Sequence, residues 1–242
     1  MHKGLIVIGA LLGFAAQVWA ETPQVGWHEL VDESKQSFDD PFKDLSYNQM
    51  DDLVRVVRLR ERLERSDIPD EDRDLYEERL AEAETPLIEA GIDIDWLISQ
   101  RWIVADKRKT AATAGNPALD GQVVKLAGFA IAAPPDPDGA SVVYLVPERG
   151  MCSHMPPPAP NQMVRVRLET GWTPQSLHEP VRLTGKLDID WSEDSVFVVD
   201  GAIPMRTSFA LHATQVETLP DTATASPDTD WDRAGRSAHA RP

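Results

Sequence analysis

The sequence is short of cysteine, of basic residues and of long apolar runs, and each shortage excludes a class of protein. Its 242 residues include one cysteine, so no internal disulfide can form and stability has to come from packing. Lys and Arg total 24 against 40 Asp and Glu, which argues against binding to nucleic acid or to anionic lipid surfaces. Beyond the first twenty residues, no segment is apolar enough to predict a membrane span.

The first twenty residues have the pattern of a secretory signal peptide. His2 and Lys3 supply positive charge, Leu5 to Ala16 is apolar but short for a bilayer, and Ala20 ends a small-residue cleavage site. An uncleaved membrane anchor is the alternative. No cysteine follows the apolar run to accept a lipid. We therefore expect a soluble periplasmic protein that is exported by residues 1–20 and is not lipidated.

Residues 21–117 predict a polar arm followed by an acidic helical segment. Leu53, Val56 and Val57 recur at helical spacing among charged positions. Pro69 should end the first helix, and Thr85-Pro86 should begin a later one that stops at Gly91. A further helix should follow Asp93 or Asp95. The charged faces suit solvated surface, and a helical hairpin that docks a partner protein is the alternative. The composition of residues 219–242 predicts a disordered tail.

Residues 118–218 predict a β-domain. Segments rich in β-branched residues and separated by turn signals predict five main strands and one short strand, at 123–132, 141–146, 163–168, 181–187, 208–216 and 196–199. Gly128 and Gly185 each stand in mid-strand, where a small barrel has to bend. The predicted fold class is α+β, a helical segment followed by a five-stranded antiparallel OB-like β-barrel. A generic antiparallel sandwich is the alternative.

The single cysteine lies in a loop that carries several possible functional groups. Cys152 and His154 are two residues apart, flanked by the thioethers of Met151 and Met155. A thiolate and an imidazole suit zinc, whereas the methionines would favour monovalent copper. A structural zinc site takes four protein ligands, and the sequence does not place further donors beside the loop. The available side chains of suitable type are Asp188, Asp190, His178 and His212.

Two other interpretations of the loop stay open. Cys152 could be a nucleophile activated by His154, although no familiar cysteine-protease or Cys-x-x-Cys signature is present. It could instead be a small buried hydrophobe. The residues that follow could make a rigid crossing between strands or a stiff surface for a partner. They are Pro156, Pro157, Pro158, Asn161 and Gln162, the last two of which could also donate amide hydrogen bonds to the loop.

This part of the chain resembles the DUF3299 family. Val143 to Pro147 and Gly150 to Gln162 resemble a family signature in which Cys-x-His, a proline run and Asn-Gln follow a Leu-Val-Pro strand. Leu119 to Phe129 resembles the family's opening Leu-Asp-Gly strand, and the likeness extends over about residues 119–218. Ala127 and Ala159 replace expected prolines, and the prolines at 134–137 replace a usual acidic position.

The resemblance implies an exported bacterial domain of unknown function, whose genes tend to accompany a transport system linked to zinc limitation. It assigns no role to any residue. We therefore expect a non-enzymatic accessory protein in metal homeostasis, most readily of zinc, that works beside a transporter or envelope complex through Cys152 and His154. The alternatives are a structural adaptor that docks a membrane protein without metal, and a cysteine-dependent enzyme.

Overall fold

The computed structural model describes residues 21–198 and 201–220, which form an α+β structure with three helices and a six-stranded mixed sheet. The predicted signal peptide at 1–20 lies outside the described residues, and so does nearly all of the predicted tail. None of the helices in the described part of the chain has the length and apolar content needed to cross a membrane.

The three helices are α1 (Tyr47–Leu63), α2 (Asp70–Glu89) and α3 (Ile94–Thr113). Local signals set their first residues: the Ser46 hydroxyl accepts a hydrogen bond from the Gln49 amide, and the Asp93 carboxylate accepts one from the Trp96 amide. The helices share a small core of buried side chains, made by Leu53, Val56, Ala83, Leu87, Ile94 and Leu97.

The prediction that Thr85-Pro86 begins a separate helix is wrong, because α2 runs through Pro86 to Glu89. A proline inside a helix removes one hydrogen bond, and packing compensates here. Ala83 and Leu87 lie one turn apart on either side of the proline, and both are fully buried in the helical core. Gly91, with a φ of 73°, follows the helix end as the sequence predicts.

Six strands make one sheet: β1 (Gln24–Val25), β2 (Gln122–Ala132), β3 (Ser141–Val146), β4 (Val164–Leu168), β5 (Glu179–Val198) and β6 (Gly201–Thr218). Their order in the sheet is β1-β2-β3-β4-β6-β5, and β5 also pairs with β2. The predicted separate short strand at 196–199 is the end of β5. β5 and β6 extend together beyond the rest of the sheet as a long hairpin.

The prediction of five strands, all antiparallel, is wrong in two respects. Gln24 and Val25, which the sequence places in an irregular arm, form a sixth strand that pairs in parallel with β2. β4 and β6 also pair in parallel, Val164 opposite Phe209. An alternation of apolar residues reports which face of a strand is buried, and it carries no information about the direction of the partner strand.

Two strand glycines are required by close approach, as their mid-strand positions predict. A Cβ on Gly128 would lie 2.7 Å from the Val146 carbonyl oxygen, and one on Gly185 would collide with the His212 carbonyl. Gly185 also adjoins a register shift between β5 and β6, where the pair bends. Both glycines therefore allow a curvature that a side chain would block.

The sheet encloses a large apolar core and adjoins a second cluster next to the cysteine loop. The large core includes Leu126, Leu145, Leu183, Phe209 and Leu211. The second cluster contains eight buried side chains: Phe129, Ile131, Tyr144, Val146, Cys152, Met163, Val196 and Met205. Cys152 therefore belongs to the packed interior at the end of β3.

Candidate functional site

The cysteine loop joins β3 to β4 and begins with a tight turn. The amide groups of Ser153, His154 and Met155 all donate to the Gly150 carbonyl oxygen, at 3.0–3.2 Å. Gly150 and Cys152 have φ values of 94° and 62°, in the left-handed region that cysteine seldom adopts. The turn therefore imposes an unfavourable backbone conformation on Cys152.

That conformation separates the cysteine from its neighbouring histidine. The Cys152 side chain is 1% exposed and packs within the second apolar cluster, whereas His154 is exposed. Burial in apolar surroundings raises the pKa of the Cys152 thiol to about 11. At neutral pH the sulfur is thus a protonated thiol in the interior, and the imidazole lies in solvent.

The donor set at the loop does not match a structural zinc site. Within residues 21–198 and 201–220, no three side chains of His, Cys, Asp or Glu converge as metal ligands would. Two of the candidate ligands lie elsewhere: Asp188 on β5 forms an ion pair with Lys186 at 2.5 Å, and His212 on β6 has its Nε2 4.0 Å from the Asp188 Oδ2. Asp190 is exposed on β5. Whether the protein binds a metal stays a prediction.

His178 is the one candidate ligand that reaches the loop. Its ring Nε2 lies 2.8 Å from the carbonyl oxygen of Met151, and its side chain is 4% exposed. With a φ of 57°, it is the second non-glycine residue in the left-handed region among the described residues. The sequence identified His178 only by its type, since no local pattern connects positions 27 residues apart.

Asn161 and Gln162 join three parts of the molecule. Both are buried in a short 3-10 turn, Pro160–Gln162, immediately before β4. The Asn161 amide donates to the carbonyl oxygens of Ala111 and Ala114, at 2.7 and 3.1 Å, and so satisfies groups left open by the end of α3. The Gln162 amide donates to the Trp27 carbonyl at 2.9 Å.

The arm before α1 is held by further contacts of the same kind. The indole of Trp27 donates to the Ala127 carbonyl at 2.8 Å, which fixes the arm against β2. Arg108 on α3 makes two hydrogen bonds to the nearly inaccessible carboxylate of Asp40, at 2.8 and 3.0 Å. This contact lowers the pKa of Asp40. We call the hydrogen bonds from the Asn161 side chain to the end of α3 and from the Gln162 side chain to Trp27 the junction.

The junction changes the interpretation of the proline loop. The sequence suggested that the Asn161 and Gln162 side chains donate hydrogen bonds within the loop, whereas in the structure both side-chain amides donate to backbone groups far along the chain. Pro156 and Pro157 are exposed and Pro158 is partly buried. The prolines therefore form the outer part of a loop whose last residues attach the helices and the arm to the sheet.

A groove of about 370 Å³ lies between α1, α3 and the arm. Its walls are mainly apolar and include Phe42, Met50, Leu53, Val54, Val57 and Ile98, with Arg58, Glu61 and Arg101 among its polar residues. α1 packs along α2 far more than along α3, which leaves this side of α1 open. The helical periodicity of α1 is visible in the sequence, but the sequence does not show that part of its apolar face stays uncovered.

Exposed aromatic and cationic groups continue the surface beside the groove. Trp102 is 70% exposed and lies beside the Arg101 guanidinium, 5.1 Å from the ring centre. Arg101 pairs with Glu61 at 3.3 Å, whereas Arg58 is exposed and has no ion-pair partner within the described residues. We call the groove together with Trp102 the helical face.

A smaller polar cleft of about 240 Å³ lies between the β2–β3 loop and the β5–β6 hairpin. The buried Tyr144 hydroxyl donates to Asp194 at 2.5 Å, and Arg165 bridges Asp194 and Asp136. Burial raises the pKa of Tyr144, and the hydrogen bond from Tyr144 lowers that of Asp194. Because these groups satisfy one another, the cluster fastens the loop to the hairpin.

Comparison with known proteins identifies the family to which the chain belongs. The family model of DUF3299, a protein family of unknown function, matches residues 27–218, so the chain belongs to the DUF3299 family. No curated protein matches. A crystal structure of a DUF3299 family protein from Pseudomonas aeruginosa PAO1 is 24% identical, over 46% of this chain and 74% of the other, with a TM-score of 0.35. At that score the two structures support no argument about the site.

Proposed function

We propose that this protein is a non-enzymatic adaptor that binds another protein through its helical segment. The observation that carries the proposal is the uncovered part of the apolar face of α1. Leu53 and Val56 are buried in the helical core, whereas Met50, Val54 and Val57, which continue the same apolar face, line an open groove. A surface helix needs one apolar stripe to pack, and apolar residues that widen this stripe into an uncovered groove are typical of an interaction site.

The junction supports the adaptor function because it fixes the direction of the helical segment. Asn161 binds the end of α3, and Gln162 binds the arm that leads toward α1. A partner bound at the helical face would thus be held at a defined position relative to the sheet. In this proposal, the residues after Cys152 are structural, and Cys152 itself packs the interior.

Metal binding is the second candidate function, and one observation favours it. The cluster around Cys152 contains Met163 and Met205, with Met151 packed against it, so soft sulfur ligands suited to monovalent copper share one region. The buried, protonated thiol and the exposed His154 favour zinc less. As an accessory to metal homeostasis, the protein would still act beside a transporter or envelope complex.

One experiment separates these two functions. The tagged protein is recovered from its own host after chemical cross-linking, together with a Cys152→Ser, His154→Ala double variant and a Val57→Asp variant. The adaptor proposal predicts that the double variant keeps its cross-linked partner and that Val57→Asp loses it. Metal analysis of the same purified proteins should show no stoichiometric zinc or copper. Partner loss in the double variant, together with bound metal in the parent, would refute the adaptor function.

A cysteine-dependent enzyme remains the third hypothesis. A catalytic thiol works as a thiolate, in a partly exposed and electropositive place. The raised pKa of Cys152 and its 1% exposure oppose that role. Rapid alkylation of the native protein near neutral pH would restore the hypothesis.

Two further parts of the proposal concern fold type and location. The order of the five long strands, with β4 parallel to β6 and β5 paired back to β2, supports an OB-type barrel. In such a barrel, the polar cleft would lie in the region that commonly receives ligands. The periplasmic location rests on the signal-like composition of residues 1–20. It would be tested by fractionating cells that express the protein.

A further inference from the structure

We infer that the helical face receives an amphipathic helix whose apolar side is bordered by carboxylates. This inference rests on the proposed adaptor function and specifies the chemistry of the partner. Its two supports are the dimensions of the apolar groove and the charges beside it.

The apolar side of α1 has the length of two helical turns. Met50, Val54 and Val57 follow one another at intervals of four and three residues, which places them on one side over about 10 Å of helix. Ile98 forms part of the opposite wall on α3. A helix that presents apolar residues at positions i, i+3 or i+4, and i+7 would match this spacing, as in other helix-in-groove complexes.

The groove has more basic than acidic side chains, although the chain as a whole is strongly acidic. Its lining includes two basic side chains, Arg58 and Arg101, and one acidic side chain, Glu61, whereas α2, which does not line the groove, carries nine acidic and two basic side chains. Arg58 lies in the groove without an ion-pair partner in the described part of the chain, and Arg101 pairs with the exposed Glu61. Carboxylates on a docked helix would therefore meet complementary charge.

A synthetic helical peptide tests the inference directly. The probe is about 18 residues long, which allows a stable helix, with leucine at the spacing given above and glutamate on the bordering positions. A second peptide has lysine in place of every glutamate. Fluorescence anisotropy of the labelled peptides with the full chain should give the glutamate peptide a dissociation constant lower by about tenfold or more.

Charge reversal on the protein supplies the decisive comparison. Arg58→Glu should weaken binding of the glutamate peptide and strengthen that of the lysine peptide, an exchange that misfolding cannot produce. Arg79→Glu, at an exposed position of α2 outside the groove, is the matched control and should change neither affinity by more than about twofold. Val57→Asp should abolish binding of the glutamate peptide while circular dichroism confirms that the helices persist.

Several results would overturn the inference. They are equal affinity for the two peptides, absence of saturable binding by either, and no effect of Arg58→Glu. Self-association of the chain that Val57→Asp removes would also overturn it, since a second copy would then be the occupant. If the peptides fail while the cross-linked partner is still lost on Val57→Asp, the adaptor function stands and only the stated chemistry of the partner is wrong.

Discussion

Replacement of Gln162 by methionine tests the junction most sharply. Methionine has nearly the same length and is apolar, so the change removes the amide without opening a large cavity. The lost amide hydrogen bonds are those to the carbonyl oxygens of Trp27, at 2.9 Å, and Asn161, at 3.0 Å. Gln162 is only 4% exposed, so water cannot readily replace them.

The magnitude follows from the cost of a buried polar group without a partner. Such a group costs about 1–3 kcal/mol, and in a domain of this size each kcal/mol lowers Tm by about 2–4 °C. We therefore expect Gln162→Met to lower Tm by roughly 2–12 °C. The loss of structure should begin in the arm, because the Gln162 side chain binds the arm at the Trp27 carbonyl.

Thermal unfolding followed by circular dichroism measures the change in Tm, and limited proteolysis with mass spectrometry locates it. Cleavage in residues 21–46 should accelerate in the variant, while the sheet stays resistant. Gln175→Met is the matched control, because Gln175 is exposed and its side-chain amide donates to the carbonyl oxygen of the nearby Thr173 at 3.2 Å. Equal melting temperatures for the two variants, with unchanged cleavage of the arm, would refute the assigned role of the junction.

Three further predictions concern the cysteine, an ion pair and a bend in the sheet. The Cys152 thiol, with a pKa raised to about 11, should be alkylated roughly a hundredfold more slowly than an exposed cysteine near neutral pH; a rate equal to that of the urea-unfolded protein would contradict its burial. Arg108 lowers the pKa of Asp40, so this pair should stabilise the fold above about pH 5 and lose its effect as the pH falls through the folded pKa. Asp40→Asn should therefore lower Tm at neutral pH, and the difference in Tm between the parent and the variant should become smaller in acid. A difference in Tm that does not depend on pH would count against the ion pair. Gly185→Ala should cost about 1–3 kcal/mol because its Cβ would meet the His212 carbonyl, and urea unfolding that matches the parent would exclude that close approach.

The sequence predicted local features well because local chemistry determines them. The left-handed Gly91 ended its helix where expected, Asp93 capped α3, and Gly128 and Gly185 marked the bends. The cysteine loop was also placed correctly, between β3 and β4. In each case neighbouring residues or a single backbone requirement fix the outcome, so the pattern is readable from the chain alone.

Features that depend on distant partners were not predictable in this way. No residue pattern near Gln24 predicts a strand, because the strand forms by pairing with Lys125, about a hundred positions away. Thr85-Pro86 has the local pattern of a helix start, and the burial of Leu87, which favours a continuous α2, cannot be deduced from the sequence. The roles of Asn161 and His178 depend on contacts with Ala111 and Met151, and neither contact follows from spacing.

Site-specific photo-cross-linking in the native host tests the central claim most directly. A photoreactive amino acid is placed in turn at Trp102, which borders the groove, and at His154, which is exposed on the cysteine loop. Our account predicts one discrete adduct from Trp102, lost when Val57→Asp is added, and none from His154. A discrete adduct from His154 alone would contradict it, because the loop and not the helical face would then be the binding surface.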